Sequence, residues 1–588
     1  MRDDSDDSEA RETHHCGERQ THQAGEAGEG DGSGTDSGFD TLVIGSGGAG
    51  LLAACRAADG GRRVLVLERT PLLGGTTAVS GGMVWVPNSS VMREHGMPDS
   101  AEDALRYLEL VTEGAVERRR LEQYVATAPE VVDYLHAKTP VRLFPIDRPD
   151  YHSDWPGARD VGRTLDNVPF PTAGRPGLTD RIRRGAHFDA VTYDERHRWN
   201  TPELYDHELV ARRKAEGVLT VGAALVAGLV AACDERGVEF ATGVRARELL
   251  IEDGRVTGVR AETAGGPAVY RAAAGVILAS GGYEWDERLK RAFLGVPDTR
   301  PVSPPWNHGD GLMMALAAGA APAGLSQAWW VPAVADPSET YDGHPLFRHL
   351  VAERCLPGSV IVNRQGRRFV NEAVNYNDIT KAFLAFDPTT HDYPNAPAWL
   401  VFDEAFRRRY PIASARPADP APDWFERAGS PAGLARRLGA DEAGLTATLA
   451  EFNRHAALGE DPAFGRGTTS HDRYYGDPRH TGGPNPCLGP LSEPPYYAVP
   501  VGPGMIGTKG GLVTDAGGRV LRHDDTPVPG LYACGNVAAT TMGPGYPGSG
   551  GTLGPALVGG YLCGTTVGGS GAVAGVPGAP GGGRSGAV

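Results

Sequence analysis

The sequence predicts an α/β fold: a doubly wound, parallel nucleotide-binding domain is interrupted by a smaller inserted α+β domain and resumes near the C-terminus. Three observations predict it. A strand, a glycine turn, a helix and a second strand are packed into residues 40–69. A block rich in tryptophan and proline, from about Gly324 to about Pro500, differs in texture from both flanks. From 508 to 566 glycine-rich loops return and lead into an apolar helical run. Strand and helix signals that alternate in this way mark a parallel sheet covered by helices.

The first unit reads DTLVIGSGGAGLLAACRAADGGRRVLVLER. Thr41–Ile44 is β-branched and apolar, as a buried parallel strand requires. The turn Gly45-Ser46-Gly47-Gly48-Ala49-Gly50 follows, and residues 63–67 form a second buried strand ending in Glu68. Gly45 suits the tight turn and Gly47 lets backbone N–H groups approach a pyrophosphate at a helix N-terminus. Gly50 allows close helix–strand packing, and Glu68 can take the ribose hydroxyls. An acid at the strand end suits an unphosphorylated ribose, so this unit binds FAD or NAD rather than NADP.

Composition excludes several functions. The 588 residues carry a net charge of −16, which argues against nucleic acid as a partner. Residues 1–38 hold three Arg against eleven Asp and Glu with almost no large apolar residue, so an acidic disordered tail is expected and not a signal peptide. Seven scattered cysteines without a CxxC pattern read as reduced cytoplasmic thiols, with no metal site. The apolar run 218–233 is too short and too rich in small residues for a membrane span and reads as a buried helix.

Along the chain, Gly74-Gly75-Thr76-Thr77-Ala78-Val79-Ser80-Gly81-Gly82 reads as a small-residue loop for close approach to a planar or phosphorylated ligand. Residues 100–138 are helical in period, and 144–170 are irregular, aromatic and proline-rich. The buried helix spans 219–237, followed by strands at 238–242, 245–251 and 256–262, with a turn at Asp253-Gly254. Residues 271–279 form another strand, closed by Ser280-Gly281-Gly282 as a second nucleotide-facing loop. Residues 530–536 are a short strand entering a turn, 546–557 a loop opening a helix, and 567–588 a disordered Gly-rich tail.

Together GSGGAG with VLVLER, GGTTAVSGG, VIVNRQGRRFVNE and GLYACGN…YPGSGGTLGPAL resemble the FAD-binding fumarate reductase and succinate dehydrogenase flavoproteins. Within that family the chain is most similar to the 3-ketosteroid Δ1-dehydrogenases, over residues 39–566. The resemblance implies a discontinuous Rossmann-type FAD-binding domain (39–325 and 508–566) with an inserted substrate domain (326–507), and FAD held non-covalently. Cofactor contacts are then expected from Gly45, Gly47, Gly48, Ala49, Gly50, Glu68, Arg69, Gly75, Thr76, Thr77, Ser80, Gly81, Gly82, Ala246, Ser280, Gly281, Gly535, Asn536, Gly551, Thr552 and Leu553. The closing loop Gly545-Tyr546-Pro547-Gly548-Ser549-Gly550 holds no cation, which suits an apolar ketone better than a dicarboxylate.

The resemblance further implies 1,2-desaturation of a 3-ketosteroid A ring, with a C2 proton passing to a tyrosine and a C1 hydride to the flavin. Tyr376 matches the base, Tyr151 the tyrosine that assists it, and Tyr546 with the Gly550 N–H the pair that holds the carbonyl. The family more often has Pro where Ser549 stands. Two preorganised donors can each supply about 3 kcal/mol to the developing enolate, and a tyrosine of pKa about 10 needs its surroundings to serve as base. Alternatives are a desaturase or reductase acting on another ketone, a Δ4-specific steroid dehydrogenase, and a non-catalytic flavin sensor. The steroid, the electron acceptor and the oligomeric state are not readable from the chain.

Overall fold

The computed structural model describes residues 38–569 except 187, 200–203, 297 and 418. The predicted tails, 1–37 and 570–588, lie outside the described residues.

Six strands build the nucleotide-binding sheet, in the order Arg519–Leu521, Pro527–Ala533, Gly275–Leu278, Thr41–Ile44, Val64–Glu68, Glu239–Thr242. All neighbours pair in parallel except the first two. Thr41–Ile44 lies at the centre with every residue buried, as a run apolar on both faces must. The helices Gly48–Asp59, Val221–Glu235 and Leu553–Gly568 cover the sheet, and the first packs on the other two. Gly50 makes the first helix's approach possible: a Cβ there would sit 2.2 Å from the Gly45 carbonyl oxygen.

A second, mixed sheet carries the antiparallel order His344–His349, Ala328–Tyr341, Tyr496–Thr508, Ala398–Asp403, Ser359–Asn363. Its long strand Tyr496–Thr508 also pairs with Arg300–Pro301 and Glu426–Ala428. The helices Ala101–Val111 and Arg118–Lys138 fall where the period placed them.

Three expectations need correction. The GGTTAVSGG stretch is not all loop, because Gly75–Val79 winds into a short helix entered through Gly74. The strand expected over 271–279 is shorter, running Gly275–Leu278 in the parallel sheet, while Arg271 ends a separate strand, Gly266–Arg271, which closes a three-stranded meander with Arg245–Glu252 and Arg255–Thr263. The apolar pattern hid this boundary because Ala272, Ala273 and Ala274 carry it on without a break. Finally, the last helix continues to Gly568, past the expected boundary at 566, with Val567 buried.

Candidate active site

One long cleft runs from the C-terminal ends of the parallel strands to the second sheet. Its nucleotide half is lined by Gly45, Gly47, Gly48, Ala49, Glu68, Arg69, Gly75, Thr76, Thr77, Ser80, Gly81, Gly82, Ala246, Ser280 and Gly281. Gly535, Asn536, Thr552 and Leu553 continue the wall. Two expected contacts do not face the cleft. Gly50 is used for packing, and Gly551 turns its N–H onto the Gly548 carbonyl at 2.9 Å.

The residues fit a dinucleotide on physical grounds. The 12-residue helix Gly48–Asp59 opens on the cleft through Gly47, which has no capping side chain; Gly48 N donates to Thr77 Oγ1 at 3.0 Å, and the positive end of the helix faces the cleft, where a phosphate is favoured. A second helix, Leu553–Gly568, starts at the same wall and is likewise uncapped. Glu68 does more than await a ribose. Its carboxylate accepts from Ser46 N (3.2 Å), Ser46 Oγ (2.7 Å), Thr70 N (2.9 Å) and Thr70 Oγ1 (3.0 Å), clamping the glycine turn to the loop after the second strand.

At the other end the structure brings together the three tyrosines singled out from sequence. The ring centroids of Tyr151 and Tyr376 are 5.2 Å apart, Tyr151 and Tyr546 5.2 Å, and Tyr376 and Tyr546 5.4 Å. Tyr376 is the first residue of the helix Tyr376–Phe383, held there by Asn375, whose side chain accepts from Asp378 N at 3.0 Å. Burial among neighbouring phenols pushes the Tyr376 hydroxyl well above the usual tyrosine range. Tyr151 is raised too, by burial first and then by Tyr475 and Tyr546, against the pull of Arg148.

Tyr546 does not stand free in a glycine loop. Its ring also meets Trp329 edge-on at 4.9 Å, and its hydroxyl lies 2.8 Å from Thr552 Oγ1. With Thr552 as donor of that bond, the phenolic proton is left for a ligand. Gly550 sits at φ +89°, where a Cβ would meet the Val84 and Trp85 backbone at 2.6 Å. Its carbonyl accepts from Trp85 N at 3.1 Å, while among the described residues its N–H meets no acceptor. Ser549, where the family more often has Pro, lies 3.1 Å through its hydroxyl from Tyr151 Oη, a bond proline could not make.

The loop is held from several sides. Tyr107 Oη donates to Pro547 O at 2.6 Å and Tyr151 N to the same oxygen at 3.0 Å. Lys509 Nζ donates to Gly545 O at 2.8 Å and Pro544 O at 3.2 Å, 4.3 Å from the Trp329 ring centroid. Burial holds that amine well below the usual lysine pKa. His152 Nε2, 3.3 Å from Asp378 Oδ2, links the Tyr151 segment to the Tyr376 helix.

Sequence reasoning missed Arg148, Lys509, Tyr475 and His471. Lys509 left a trace, as one of five lysines in the chain and set among glycines. Arg148 left none in its irregular stretch, yet it lines the cleft beside Tyr151, and so brings a cation to the site from outside the closing loop 545–550, which itself holds none. His471 is buried and its ring meets Tyr151 edge-on at 5.2 Å.

The family described as "FAD binding domain" matches residues 40–553. The 4-oxocyclohexanecarboxylate 2-dehydrogenase of Sinomonas cyclohexanicum is 40% identical over 545 residues, 91% of this chain and 93% of that one. The 3-oxosteroid 1-dehydrogenase of Mycobacterium tuberculosis is 37% identical over 559 residues, covering 89% and 97%. A crystal structure of 3-ketosteroid Δ1-dehydrogenase from Sterolibacterium denitrificans, in complex with 1,4-androstadiene-3,17-dione, superposes with a TM-score of 0.84 at 36% identity, covering 90% of this chain and 99% of that one. The chain belongs to the FAD-binding flavoproteins of the fumarate reductase and succinate dehydrogenase type, and its cofactor is FAD. Among the described residues no helix is long and apolar enough to cross a membrane.

Proposed function

We propose, from membership of this FAD-binding family, that the protein is a dehydrogenase that places a C=C bond beside a ring ketone. The observation that carries the reading is the cluster of Tyr151, Tyr376 and Tyr546 rings, mutually 5.2–5.4 Å apart at the end of the cleft, next to an N–H of Gly550 without an acceptor. FAD, when bound, would supply the acceptor for a hydride leaving the carbon β to the carbonyl. Tyr376 takes the proton from the α carbon, and together the two losses leave the double bond. Tyr546 and the Gly550 N–H hold the carbonyl oxygen while it gains enolate character, each supplying about 3 kcal/mol. Tyr151 orders the base, with Ser549 fixing its hydroxyl. The aromatic walls keep water from the α carbon. We assign 39–325 and 508–566 to the FAD-binding part and 326–507 to the part that closes the substrate end.

The A ring of a 3-ketosteroid desaturated at C1–C2 fits this scheme, in line with the 3-oxosteroid 1-dehydrogenase relatives. A single cyclohexanone ring bearing a carboxylate fits it equally, in line with the 4-oxocyclohexanecarboxylate relative. The presence of Arg148 in the cleft favours the second. The test is anaerobic bleaching of the oxidised flavin in purified protein by androst-4-ene-3,17-dione and by 4-oxocyclohexanecarboxylate, with the product identified by mass and NMR. Bleaching with formation of the α,β-unsaturated ketone is expected from at least one. Flavin that stays oxidised with every ring ketone tried would remove the reading.

A further inference from the structure

Of the buried arginines without a carboxylate partner, Arg354 donates to Leu350 O and Glu372 O and Arg407 to Arg416 O and Asp419 O, whereas Arg148 meets a single phenol; the remaining buried ones are ion-paired. Arg163 pairs with Asp99 and Asp150, Arg466 with Glu372, and Arg183 with Asp342. Arg148 is 3% exposed and, among the described residues, has no carboxylate at ion-pair distance. Its Nη2 donates to the phenol oxygen of Tyr475, and its Nε is buried without an acceptor. The rings of Tyr193, Tyr474 and Tyr475 surround the guanidinium carbon at 4.8, 5.1 and 5.2 Å. Ring faces attract a cation, but a guanidinium is always charged and five donors need acceptors. A buried charge with one phenol as its acceptor and no carboxylate is costly unless a ligand completes it.

The group lies at the ketone end of the cleft, away from the glycine turn. Arg148 stands three residues before Tyr151, lines the same cleft as Tyr376 and Tyr546, and its charge acts on both Tyr151 and Tyr546. A hydrocarbon against this wall would leave the guanidinium dry and unpaired. A carboxylate would accept two parallel N–H bonds in the geometry an arginine offers best.

Resting on the ring-ketone reading above, we infer that Arg148 is the carboxylate-binding residue of the substrate site, and that the substrate is a short cyclic keto acid whose ketone sits on Tyr546 and Gly550 and whose carboxylate sits on Arg148. The three tyrosine rings around the guanidinium hold it rigid, so the distance between ketone and carboxylate becomes a measure of substrate length.

The experiment uses the FAD-loaded enzyme with 4-oxocyclohexanecarboxylate, its uncharged methyl ester and androst-4-ene-3,17-dione. Wild type is expected to favour the acid over the ester by about a hundredfold in kcat/KM, the scale of a charge-assisted hydrogen-bond pair. Arg148→Met should remove most of that preference, acting mainly through KM and affecting the ester far less, while Arg148→Lys keeps part of it. FAD content should match wild type in both variants. Equal use of acid and ester by wild type, or a preference for the steroid, would overturn the inference and leave the ring-ketone reading standing. Loss of FAD from Arg148→Met with the acid preference intact would assign the guanidinium to a cofactor phosphate and also overturn it. Should no ketone bleach the flavin, that reading fails separately. The anion site is then read by the change in flavin absorbance on adding cyclohexanecarboxylate: a response in wild type that Arg148→Met loses supports the carboxylate site, and no difference between the two refutes it. If Arg148→Met does not fold, the comparison of acid with ester in wild type decides alone.

Discussion

The two ends of the cleft are built differently. The nucleotide end is local: one continuous stretch, 44–82, supplies most of its wall, largely as glycine and small side chains that present backbone. The buried acid of that stretch, Glu68, is satisfied by Ser46 and Thr70 within it. The ketone end is assembled at long range. Tyr151 and Ser549, which hydrogen-bond, are 398 positions apart, and Tyr376 reaches them from a third segment. That end is aromatic, and charges buried beneath it must be balanced across the chain. The backbone site depends on its glycines and on the Glu68 clamp that shapes the turn, whereas a site made of distant side chains depends on each of them. Single substitutions should therefore lower FAD content at the first end and the rate per flavin at the second.

The largest expected effect is at Tyr376. Tyr376→Phe should retain FAD and ligand binding but slow flavin reduction by about 10²–10⁴-fold, the range of general-base catalysis; single-turnover bleaching beside a binding titration measures both. Its pH profile sharpens the point. Because burial raises the hydroxyl's pKa, the ionised form is a minor one at neutral pH and grows with pH. Wild-type reduction should then rise by about tenfold per pH unit on the alkaline side, up to the raised pKa. A flat profile there would place the base elsewhere.

Next comes the support beneath that tyrosine. Glu372, fully buried, takes two bonds from Arg368 (2.8 and 2.6 Å) and one from Arg466 (3.3 Å), and Arg368 also bridges to Asp461. Glu372→Ala leaves a dry Arg466 uncompensated, so unfolding by urea should show about 3–5 kcal/mol lost. A loss below about 1 kcal/mol would mean that the network contributes little.

Tyr546→Phe removes one carbonyl donor and should cost about 3 kcal/mol of enolate stabilisation, roughly a hundredfold in rate, with the ring still packed on Trp329. Equal turnover would take Tyr546 out of the chemistry.

The smallest effect on rate belongs to the other end. Glu68→Gln keeps the shape but sets an amide N–H₂ against donors of Ser46 or Thr70. FAD content after dialysis should fall, while turnover per bound flavin stays within a few-fold of wild type. A fall in the rate per flavin instead would break the division between the two ends.

What the sequence determined by itself follows from locality. The order Thr41–Ile44, glycine turn, helix and Val64–Glu68 was legible because each step is a short-range rule: apolar run, tight turn, close packing, terminal acid. The buried helix Val221–Glu235 and the loop that opens Leu553–Gly568 were legible for the same reason. The tyrosines were reached through resemblance of the motifs around them, and only the fold placed their rings in contact. Tertiary structure also decided what no local pattern encodes. It wound Gly75–Val79 into a helix, broke the apolar run 271–279 between two sheets, and set Lys509 beneath the Tyr546 loop. The clearest case is Arg148: in the chain it is one arginine of many in an irregular stretch, and only the fold surrounds it with phenols and, among the described residues, leaves it without a carboxylate partner. Burial and pairing are properties of what surrounds a side chain, and those neighbours come from hundreds of positions away.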